Sequence, residues 1–318
     1  MTSIGGYFEI ELDEKYEFHP DALKVNTGRN ALEYILKANN YVKIYIPYYT
    51  CEVILEPIMK LNIRYEFYSI NSKLEPVFNL NDISANEAFL YTNYFGVKDS
   101  FVNELSRNCK NLIIDNAQSF FSSPIKGVDS FYSARKFFGV PNGAYVYSKN
   151  RIEADLERDN ISIDGLRHLI KRVEYGPEVG YKDFLRYEES LTNKPIKKMS
   201  KLTQKILKSI DYNKVIKIRK RNFNYLFKNL KTENEMKFEL NDIQVPMIYP
   251  FLRNNNNSLY KRLIENKVFV AKYWPNVKVW TEKDSIECFL AENTLALPID
   301  HRYNIEDMAR IVKLIKAK

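Results

Sequence analysis

Strand patterns and helix patterns alternate along the first half of the chain, and this alternation most constrains the fold. Short runs rich in β-branched and aromatic residues predict strands, and stretches with apolar residues at helical spacing predict helices. The predicted strands are KIYIP, IRYEFYSI, EAFLYTNYF, NLIIDNA, DSFYSA and GAYVYSK, and the predicted helices are NALEYILKANN, CEVILEPIMKLN and SFVNELSRNC. This order is typical of an α/β protein built on a layered sheet.

The second half changes character after Arg151, where the pattern becomes helical and charged. There KVIKIRKRNFNYLFKNLK predicts one long helix, and QVPMIYPFL, SLYKRLIENK and NIEDMARIVKLIKA then predict a strand and two helices, with the NNNN tract at 254–257 as a turn or loop. We therefore expect a large domain over residues 1–205, followed by a long connecting helix and a small C-terminal domain over residues 206–318. A length of 318 residues agrees with one large and one smaller domain.

The overall composition is that of a soluble globular protein. Hydrophobic residues make up 45% of the chain and charged residues 28%, which are ordinary values for such proteins. The first residues, MTSIGGYFEIELDEKYEF, are broken by acidic side chains and do not resemble a signal peptide, and no apolar run is long enough to span a bilayer. We expect a cytoplasmic protein without membrane insertion.

The few cysteines and histidines are widely separated along the chain. They are Cys51, Cys109, Cys288, His19, His168 and His301. This scatter argues against a disulfide framework, a CxxC metal site, a zinc site and a histidine-based catalytic triad.

The balance of charge is basic, with 48 lysines and arginines against 40 acidic residues and a formal net charge of +8. Such a charge is compatible with nucleic acid, a membrane surface or an anionic small molecule as partner. Much of the excess lies in residues 194–231, where lysines mix with leucine and isoleucine at helical spacing, as on a solvated helical face. Because no known nucleic-acid-binding motif accompanies the charge, we expect no nucleic-acid partner.

A carboxylate and an amide follow the apolar run NLII. Asp115 closes this predicted strand and Gln118 comes three residues later, at the carboxyl end of a strand, where open α/β sheets bind ligands. An aspartate in this position is often a cap or turn residue. It can also pair with the protonated pyridine nitrogen of a cofactor and keep the ring electron-withdrawing.

Lys136 lies in DSFYSARKFFGVPNGAYVYS, between a hydroxyl-bearing turn and a Pro-Asn-Gly turn. A lysine next to an arginine is usually solvated, but here aromatic residues stand on both sides, at 131, 132, 137 and 138. An amine in apolar surroundings loses its proton more readily and becomes a better nucleophile, able to hold an aldehyde cofactor as a Schiff base. Ser133, three residues earlier, can donate to a phosphate.

Thr27 and Gly28 stand at the start of the predicted helix NALEYILKANN. Threonine in this place is a common helix N-cap. The backbone donors at such a helix start, together with the positive end of the helix dipole, can also hold a phosphate.

These segments together resemble the DegT/DnrJ/StrS family of sugar aminotransferases, which are fold-type I enzymes dependent on pyridoxal phosphate. The resemblance covers most of the chain and keeps the family's order and spacing. It is carried by TGRNAL, IPYYTCEVILEPI, YTNYFG, IIDNAQSFF, SARKFFGVPNGA, VFVAKYWP and LALPIDHRYNIEDMARIV. It implies a large domain with a mainly parallel central sheet flanked by helices, and a smaller C-terminal αβ domain.

The resemblance also implies roles for single residues. Lys136 would be the Schiff-base lysine and proton shuttle, Asp115 the partner of the pyridine nitrogen, and Gln118 a contact of the cofactor's phenolic oxygen. The phosphate would be held by Thr27, Gly28, Arg29 and Ser133. Cys51 stands where many members have an aromatic residue that stacks on the ring, and Tyr49 or Tyr94 would then stack instead.

The function implied by the resemblance is transfer of an amino group, from L-glutamate, to a keto group of a nucleotide-linked deoxysugar, in surface-polysaccharide or amino-sugar biosynthesis. Pyridoxal phosphate would be the cofactor, a nucleotide sugar and an amino-acid donor the partners, and a homodimer the assembly. Two alternatives stay open. One is a pyridoxal-phosphate-dependent sugar dehydratase or other lyase on the same fold, although family dehydratases tend to carry histidine at the lysine position. The other is a catalytically silent binding protein that keeps the fold.

Overall fold

The first half of the chain folds into one eight-stranded sheet with helices packed against it. The structure, a computed structural model, describes residues 4–153, 155–160, 162–238 and 244–317. In the first half the elements are β1 (Leu23–Val25), α1 (Gly28–Asn39), β2 (Lys43–Pro47), α2 (Leu55–Lys60), β3 (Arg64–Ile70), β4 (Pro76–Val77), β5 (Glu87–Thr92), α3 (Asp99–Asn108), β6 (Leu112–Asn116), β7 (Asp129–Ser133) and β8 (Ala144–Tyr147). Each strand and helix predicted for this half is confirmed.

The strands follow the order β1-β8-β7-β6-β5-β2-β3-β4 across the sheet. The five central strands β3, β2, β5, β6 and β7 pair in parallel, whereas β8 pairs with β7, β1 with β8, and β4 with β3 in the antiparallel sense. Since parallel strands point the same way, the carboxyl ends of β2, β5, β6 and β7 meet along one edge of the sheet. That edge carries the residues singled out from the sequence.

The two faces of the sheet differ in chemistry. On the face under α1 the strands present mostly aliphatic or small side chains, with Phe131 as the aromatic exception, namely Ile44, Ile46, Ala88, Leu90, Ile113, Phe131, Ala144 and Val146. On the opposite face, alternate positions of the same strands are largely aromatic, namely Tyr45, Phe89, Tyr91, Tyr132 and Tyr145. Because successive side chains of a strand point to opposite faces, each strand contributes alternate residues to two separate hydrophobic cores.

Helix α1 begins where its sequence supplies a cap. The Thr27 hydroxyl accepts a hydrogen bond from the Asn30 backbone N–H at 3.1 Å, which satisfies one of the free donors of the first turn. Apolar residues at helical spacing then face the sheet and are buried, among them Ala31, Leu32, Ile35 and Leu36. The helix ends at Asn39 and is followed by the C-cap residue Asn40, whose φ of 54° is left-handed.

The second half is mainly helical. Its elements are α4 (Ser162–Gly165), α5 (Arg167–Tyr175), α6 (Pro177–Ser190), α7 (Lys201–Ser209), α8 (Tyr212–Leu230), β9 (Ile248–Leu252), α9 (Asn257–Glu265), α10 (Val277–Trp280), α11 (Ile286–Asn293), β10 (Thr294–Pro298) and α12 (Ile305–Lys316). The predicted long helix corresponds to α8, the predicted strand to β9, and the two predicted helices to α9 and α12. Strands β9 and β10 pair antiparallel. The expected turn at 254–257 is confirmed, with residue 257 already in α9.

One hydrophobic core cluster joins the aromatic face of the sheet to α8, β9, β10 and α12. A domain division after residue 205 therefore stays a prediction. The cytoplasmic location also stays a prediction. Among the helices in the described part of the chain, none combines the length and the apolar composition needed to cross a membrane.

Gly143 offers a direct test of the backbone around the predicted lysine turn. Its φ is +118°, and a Cβ built on it would lie 3.0 Å from Thr203 Cγ2 and 3.2 Å from Met199 Cε. We expect Gly143→Ala to lower the free energy of unfolding by roughly 1–3 kcal/mol, because it combines backbone strain with a steric clash. Urea denaturation of the cofactor-free protein measures this.

Gly139, in the same loop, is the matched control. A Cβ there would meet only Leu169 Cδ2, at 4.0 Å. Gly139→Ala should leave the free energy of unfolding within about 0.5 kcal/mol of the wild type. Equal effects of the two substitutions would contradict the account of Gly143.

Candidate functional site

The carboxyl edge of the parallel strands gathers the candidate residues from four neighbouring strands. Tyr49 and Cys51 follow β2, Tyr94 follows β5, Asp115 and Gln118 lie at the end of β6, and Ser133 and Lys136 lie at the end of β7. The N-terminus of α1, with Thr27, Gly28 and Arg29, is joined to this edge by backbone hydrogen bonds described below. The edge thus brings together groups that are far apart in the sequence.

Asp115 is a buried carboxylate, with only 7% of its surface exposed. Its Oδ1 accepts a hydrogen bond from the Ala117 backbone N–H at 2.8 Å. Burial raises the pKa of Asp115 to about 6, and the Ala117 hydrogen bond and the positive charge of Lys136 limit this rise. Asp115 and Lys136 are therefore close enough to interact electrostatically.

Lys136 ends a 3-10 turn, Ala134–Lys136, that directly follows β7. The Ala134 N–H donates to the Gly143 carbonyl at 3.0 Å, and the Phe137 N–H donates back to Ala134 at 3.1 Å. The flanking aromatic residues Phe131, Tyr132, Phe137 and Phe138 are buried in the core, whereas Lys136 itself is exposed. The apolar enclosure expected from the sequence is wrong for the single chain, because the rings pack inward and leave the amine at the sheet edge.

The N-terminus of α1 is tied to the lysine turn through Gly143. The Gly143 N–H donates to the Asn26 carbonyl at 2.6 Å, and the Gly143 carbonyl accepts from Ala134. Space is open beside Gly28, where a Cβ would meet no atom within 4 Å. A phosphate at this helix start would therefore lie close to the lysine turn.

Two of the other proposed phosphate contacts, Thr27 and Arg29, are already engaged within the chain. The Thr27 hydroxyl donates to Asn30 Oδ1 at 2.7 Å besides capping the helix, so the N-cap interpretation is confirmed. Arg29 Nε lies 3.3 Å from Glu56 Oε2. Ser133 is buried at the end of β7. The backbone of the helix start is thus the freest donor group at this corner of the site.

Gln118 is fixed in one orientation by the backbone of the neighbouring strand end. Its Oε1 accepts a hydrogen bond from the Phe95 N–H at 2.9 Å, which leaves the Nε2 group as the available donor. Phe95 has a φ of 57° and Gly96 a φ of 73°. A Cβ on Gly96 would lie 3.1 Å from the Gln118 carbonyl oxygen, so only glycine fits this turn.

The residues proposed to stack on a cofactor ring differ sharply in accessibility. Tyr49 and Tyr94 are fully buried, and the Tyr94 hydroxyl donates to the Tyr49 carbonyl at 3.0 Å. The Tyr49 ring also lies 5.0 Å from the Trp274 ring, centroid to centroid. Cys51 is half-buried, so it is the one of these three side chains with surface left to contact a ligand.

Two further residues at the site had no role in the sequence-based prediction. Tyr273, in the segment VFVAKYWP, stacks on Phe95 with ring centroids 6.3 Å apart, and burial raises its pKa while the charge of Lys136 lowers it. Lys136 is therefore near a phenol that comes from the second half of the chain. The motif was recognised in the sequence, but spacing alone could not show that its tyrosine reaches the lysine.

Arg219 is the second of these residues. It lies within the basic stretch that the sequence predicts as a solvated helical face, yet only 1% of it is exposed. Its guanidinium lies 4.6 Å from the centroid of the Phe137 ring and donates to the Met247 carbonyl at 2.9 Å. Burial lowers its pKa to about 10, so it stays charged at neutral pH. The solvated-face interpretation is wrong at this position.

These groups could hold a phosphorylated aldehyde cofactor. An accessible amine, a buried carboxylate, a fixed amide donor and an open helix N-terminus surround one edge of the sheet. The amine can form an imine with an aldehyde, the carboxylate can pair with a cationic ring nitrogen, and the helix start can bind a phosphate.

Comparison of the whole structure finds aminotransferases of the same architecture. A DegT/DnrJ/EryC1/StrS aminotransferase from Brucella abortus matches with a TM-score of 0.61 and 12% identity, over 93% of this chain and 85% of that one. The sugar aminotransferase CalS13 from Micromonospora echinospora has a TM-score of 0.56 and 14% identity, over 93% and 86% of the two chains. Spr1654 from Streptococcus pneumoniae, in its PLP form, has a TM-score of 0.63 and 12% identity, over 93% and 86%.

No protein-family model and no curated protein sequence matches the chain. The chain nevertheless has the fold of pyridoxal-phosphate-dependent sugar aminotransferases across nearly its whole length. The predicted fold class is confirmed, and the resemblance found in the motifs is matched by the structure at the level of the fold.

The buried carboxylate should destabilise the cofactor-free protein as it ionises. The pKa of Asp115 is about 6 when folded against an ordinary value of 3.8, so the stability present below about pH 4 is lost as the pH rises through 6. We expect Asp115→Asn to raise the free energy of unfolding by on the order of 2 kcal/mol near pH 8, with no gain near pH 4. Urea denaturation at both pH values measures this.

Asp129 serves as the control for this substitution. It is also buried, but its carboxylate accepts a hydrogen bond from the Lys149 N–H at 2.7 Å and another from the Tyr41 hydroxyl. Asp129→Asn replaces an acceptor by a donor and should not stabilise the protein at any pH. A gain for Asp115→Asn that is the same at both pH values would contradict burial of the charge as its cause.

Proposed function

We propose that the protein is a pyridoxal-phosphate-dependent aminotransferase. The observation that carries this proposal is the placement of Lys136 and Asp115 at neighbouring ends of the parallel strands β7 and β6, with the N-terminus of α1 tied to the lysine turn through Gly143. The residues present fit the cofactor, because Asp115 is a buried carboxylate without a cation in direct hydrogen-bond contact among the described residues. The fold shared with Spr1654 in its PLP form supports the same cofactor.

When bound, pyridoxal phosphate supplies an electron-withdrawing ring that stabilises negative charge on the substrate carbon. Lys136 would hold the aldehyde carbon through its Nζ and, once released, move a proton between substrate and cofactor carbons. Asp115 would keep a proton on the ring nitrogen and would thereby gain a cationic partner for its buried charge. Gln118 Nε2 would donate to the phenolic oxygen, and the start of α1 with Ser133 would hold the phosphate.

For the substrate we propose a keto group on a nucleotide-linked deoxysugar, with L-glutamate as amino donor, in surface-polysaccharide or amino-sugar biosynthesis. The description of CalS13 as a sugar aminotransferase supports the sugar, and the net charge of +8 favours an anionic substrate. Arg29, Lys98, Arg302 or lysines of residues 194–231 could meet the diphosphate of such a substrate. The first three are ion-paired within the chain, with Glu56, Glu75 and Asp300 respectively. A diphosphate that bound them would have to compete with these carboxylates.

We also propose that the protein forms a homodimer through the hairpin of α5 and α6. Large apolar side chains of this hairpin are exposed, namely Ile170, Val173, Tyr175, Val179, Tyr181, Phe184 and Leu185, and such clustering is typical of interaction surfaces. The two helices contain five basic and five acidic residues. Within a chain of net charge +8 this neutral face can meet a second copy of itself without charge repulsion.

The first test of the enzyme is its visible absorption with cofactor. Wild-type protein loaded with pyridoxal phosphate should show a yellow band that L-glutamate removes, because the amino group passes to the cofactor. Lys136→Ala should lack the covalent adduct while remaining folded. Borohydride reduction followed by peptide mass measurement should place the cofactor on Lys136.

Lys110→Ala, an exposed lysine that precedes β6 at its amino end, is the matched control and should behave as the wild type. A reduced adduct that persists in Lys136→Ala would overturn the assignment of the lysine. A yellow band that L-glutamate leaves unchanged would favour another donor or the lyase alternative, and protein that never binds the cofactor would favour a silent scaffold.

The dimer is tested with one substitution in the hairpin and one outside it. Val173 and Val279 are both 84% exposed, the first in α5 and the second in α10. Sedimentation should show a mass of two chains for the wild type and for Val279→Glu, and a mass of one chain for Val173→Glu, because a buried unpaired charge opposes association. A Val173→Glu protein that remains dimeric would show that the hairpin is not the interface.

A further inference from the structure

Arg135, the residue immediately before Lys136, contacts two residues of α6. Its guanidinium donates to the Glu188 carboxylate, and its carbon Cζ lies 5.4 Å from the centroid of the Tyr187 ring. The side chain is only 17% exposed. A charge-assisted hydrogen bond and a stacked aromatic ring together hold a guanidinium in a defined plane.

The ring that receives Arg135 is itself held firmly. Tyr187 is buried, and the imidazole of His168 stacks on it with centroids 5.6 Å apart and planes 28° apart. Gly165 lies against the same ring, since a Cβ there would be 2.5 Å from Tyr187 Cζ. Arg135 is thus held between Glu188 and a tyrosine ring that is itself packed against α4 and α5.

The other side of the lysine turn is anchored as well. Phe137, the residue after Lys136, packs against the buried Arg219 of α8. The neighbours of Lys136 on both sides are therefore fixed to different helices, whereas Lys136 is exposed at the sheet edge, and its positive charge lowers the pKa of Asp115 and of Tyr273. The direction of its side chain depends on where these two anchors hold the turn.

We propose that Arg135 and Glu188 form a positioning pair that orients the 3-10 turn so that Lys136 faces the cofactor site. This inference rests on the proposed function, since it concerns the delivery of the Lys136 amine to an aldehyde carbon. Both side chains are engaged with each other, and Arg135 also with Tyr187, so their role would be positional and not chemical. They would act through the backbone of the turn, because a change in the backbone orientation of Arg135 also changes that of the adjacent Lys136.

The test measures how fast the visible band develops when cofactor-free protein is mixed with pyridoxal phosphate. Glu188→Ala removes the acceptor and should lower the rate of band formation by on the order of tenfold. A displacement of the Lys136 amine by a fraction of an ångström is enough for such a loss. Glu188→Gln keeps an acceptor oxygen for the guanidinium and should recover most of the rate.

Asp183→Asn is the matched control from the same helix. Asp183 pairs with Lys171 and Arg167 within the hairpin and does not contact Arg135. It should lower the thermal midpoint to a similar degree as Glu188→Ala and leave the rate of band formation unchanged. Arg135→Lys provides a second variant if Glu188→Ala fails to fold, and it should also slow the band, since an ammonium lacks the planar fork.

A wild-type rate in Glu188→Ala or Arg135→Lys, or equal slowing in Asp183→Asn, would overturn the positioning role while leaving the proposed function intact. A wild-type protein that forms no band would instead remove the proposed function, and this inference with it. Slowing confined to the Arg135 and Glu188 variants, with rescue by Glu188→Gln, is the supporting result.

Discussion

Two backbone hydrogen bonds at Gly143 hold the site together. Its N–H donates to Asn26, just before α1, and its carbonyl accepts from Ala134, in the lysine turn. They join the helix start and the strand end that a cofactor would have to bridge. Only glycine fits here, because φ is +118° and Thr203 and Met199 close the space beside Cα. The geometry of the whole edge therefore depends on one residue that carries no functional group.

The sheet explains why the same strands can serve both as a scaffold and as a source of functional side chains. Residues on the aliphatic face bind α1 to the sheet, and residues on the aromatic face join it to the second half of the chain. The functional side chains lie at the carboxyl ends of the strands, beside the two cores. There the charge of Lys136 acts on the pKa of Asp115. Many of the tyrosines belong to the aromatic face, where bulky rings fill the space between the sheet and α8.

The sequence predicts the central strands, the long helix and the family-like site because these depend on local patterns. Strand periodicity identifies β2, β5 and β6, and the pattern of Asp115, Gln118 and Lys136 along the chain identifies the candidate cofactor residues. It misses β1 and β4, since strands as short as Leu23–Val25 and Pro76–Val77 have no periodicity and are defined by their partners. It also misses the five-residue strand β10, for which we have no such reason. It also misjudges Arg219, because a lysine-rich helical stripe does not reveal which cation turns inward.

The buried arginine has a physical reason that sequence patterns do not express. Burying a guanidinium is unfavourable unless its charge is matched, and Arg219 meets the Met247 carbonyl, the face of Phe137 and the nearby negative charge of Asp300. The interactions come from three separate segments of the chain, which become neighbours only in the folded protein. Arg219 therefore fixes the distance between the lysine turn and the second half of the chain, from which Tyr273 reaches the site.

The exposure of Lys136 has a consequence for the proposed chemistry. A reaction that moves a proton at a carbon atom is better protected from water in an enclosed site than at an open sheet edge. Within the described residues Tyr273 of the second half lies near Lys136, yet the single chain leaves the lysine accessible. The hairpin that anchors Arg135 carries the exposed apolar surface of the proposed dimer. The same hairpin would thus connect association of two chains to the orientation of the lysine, because both act on α6.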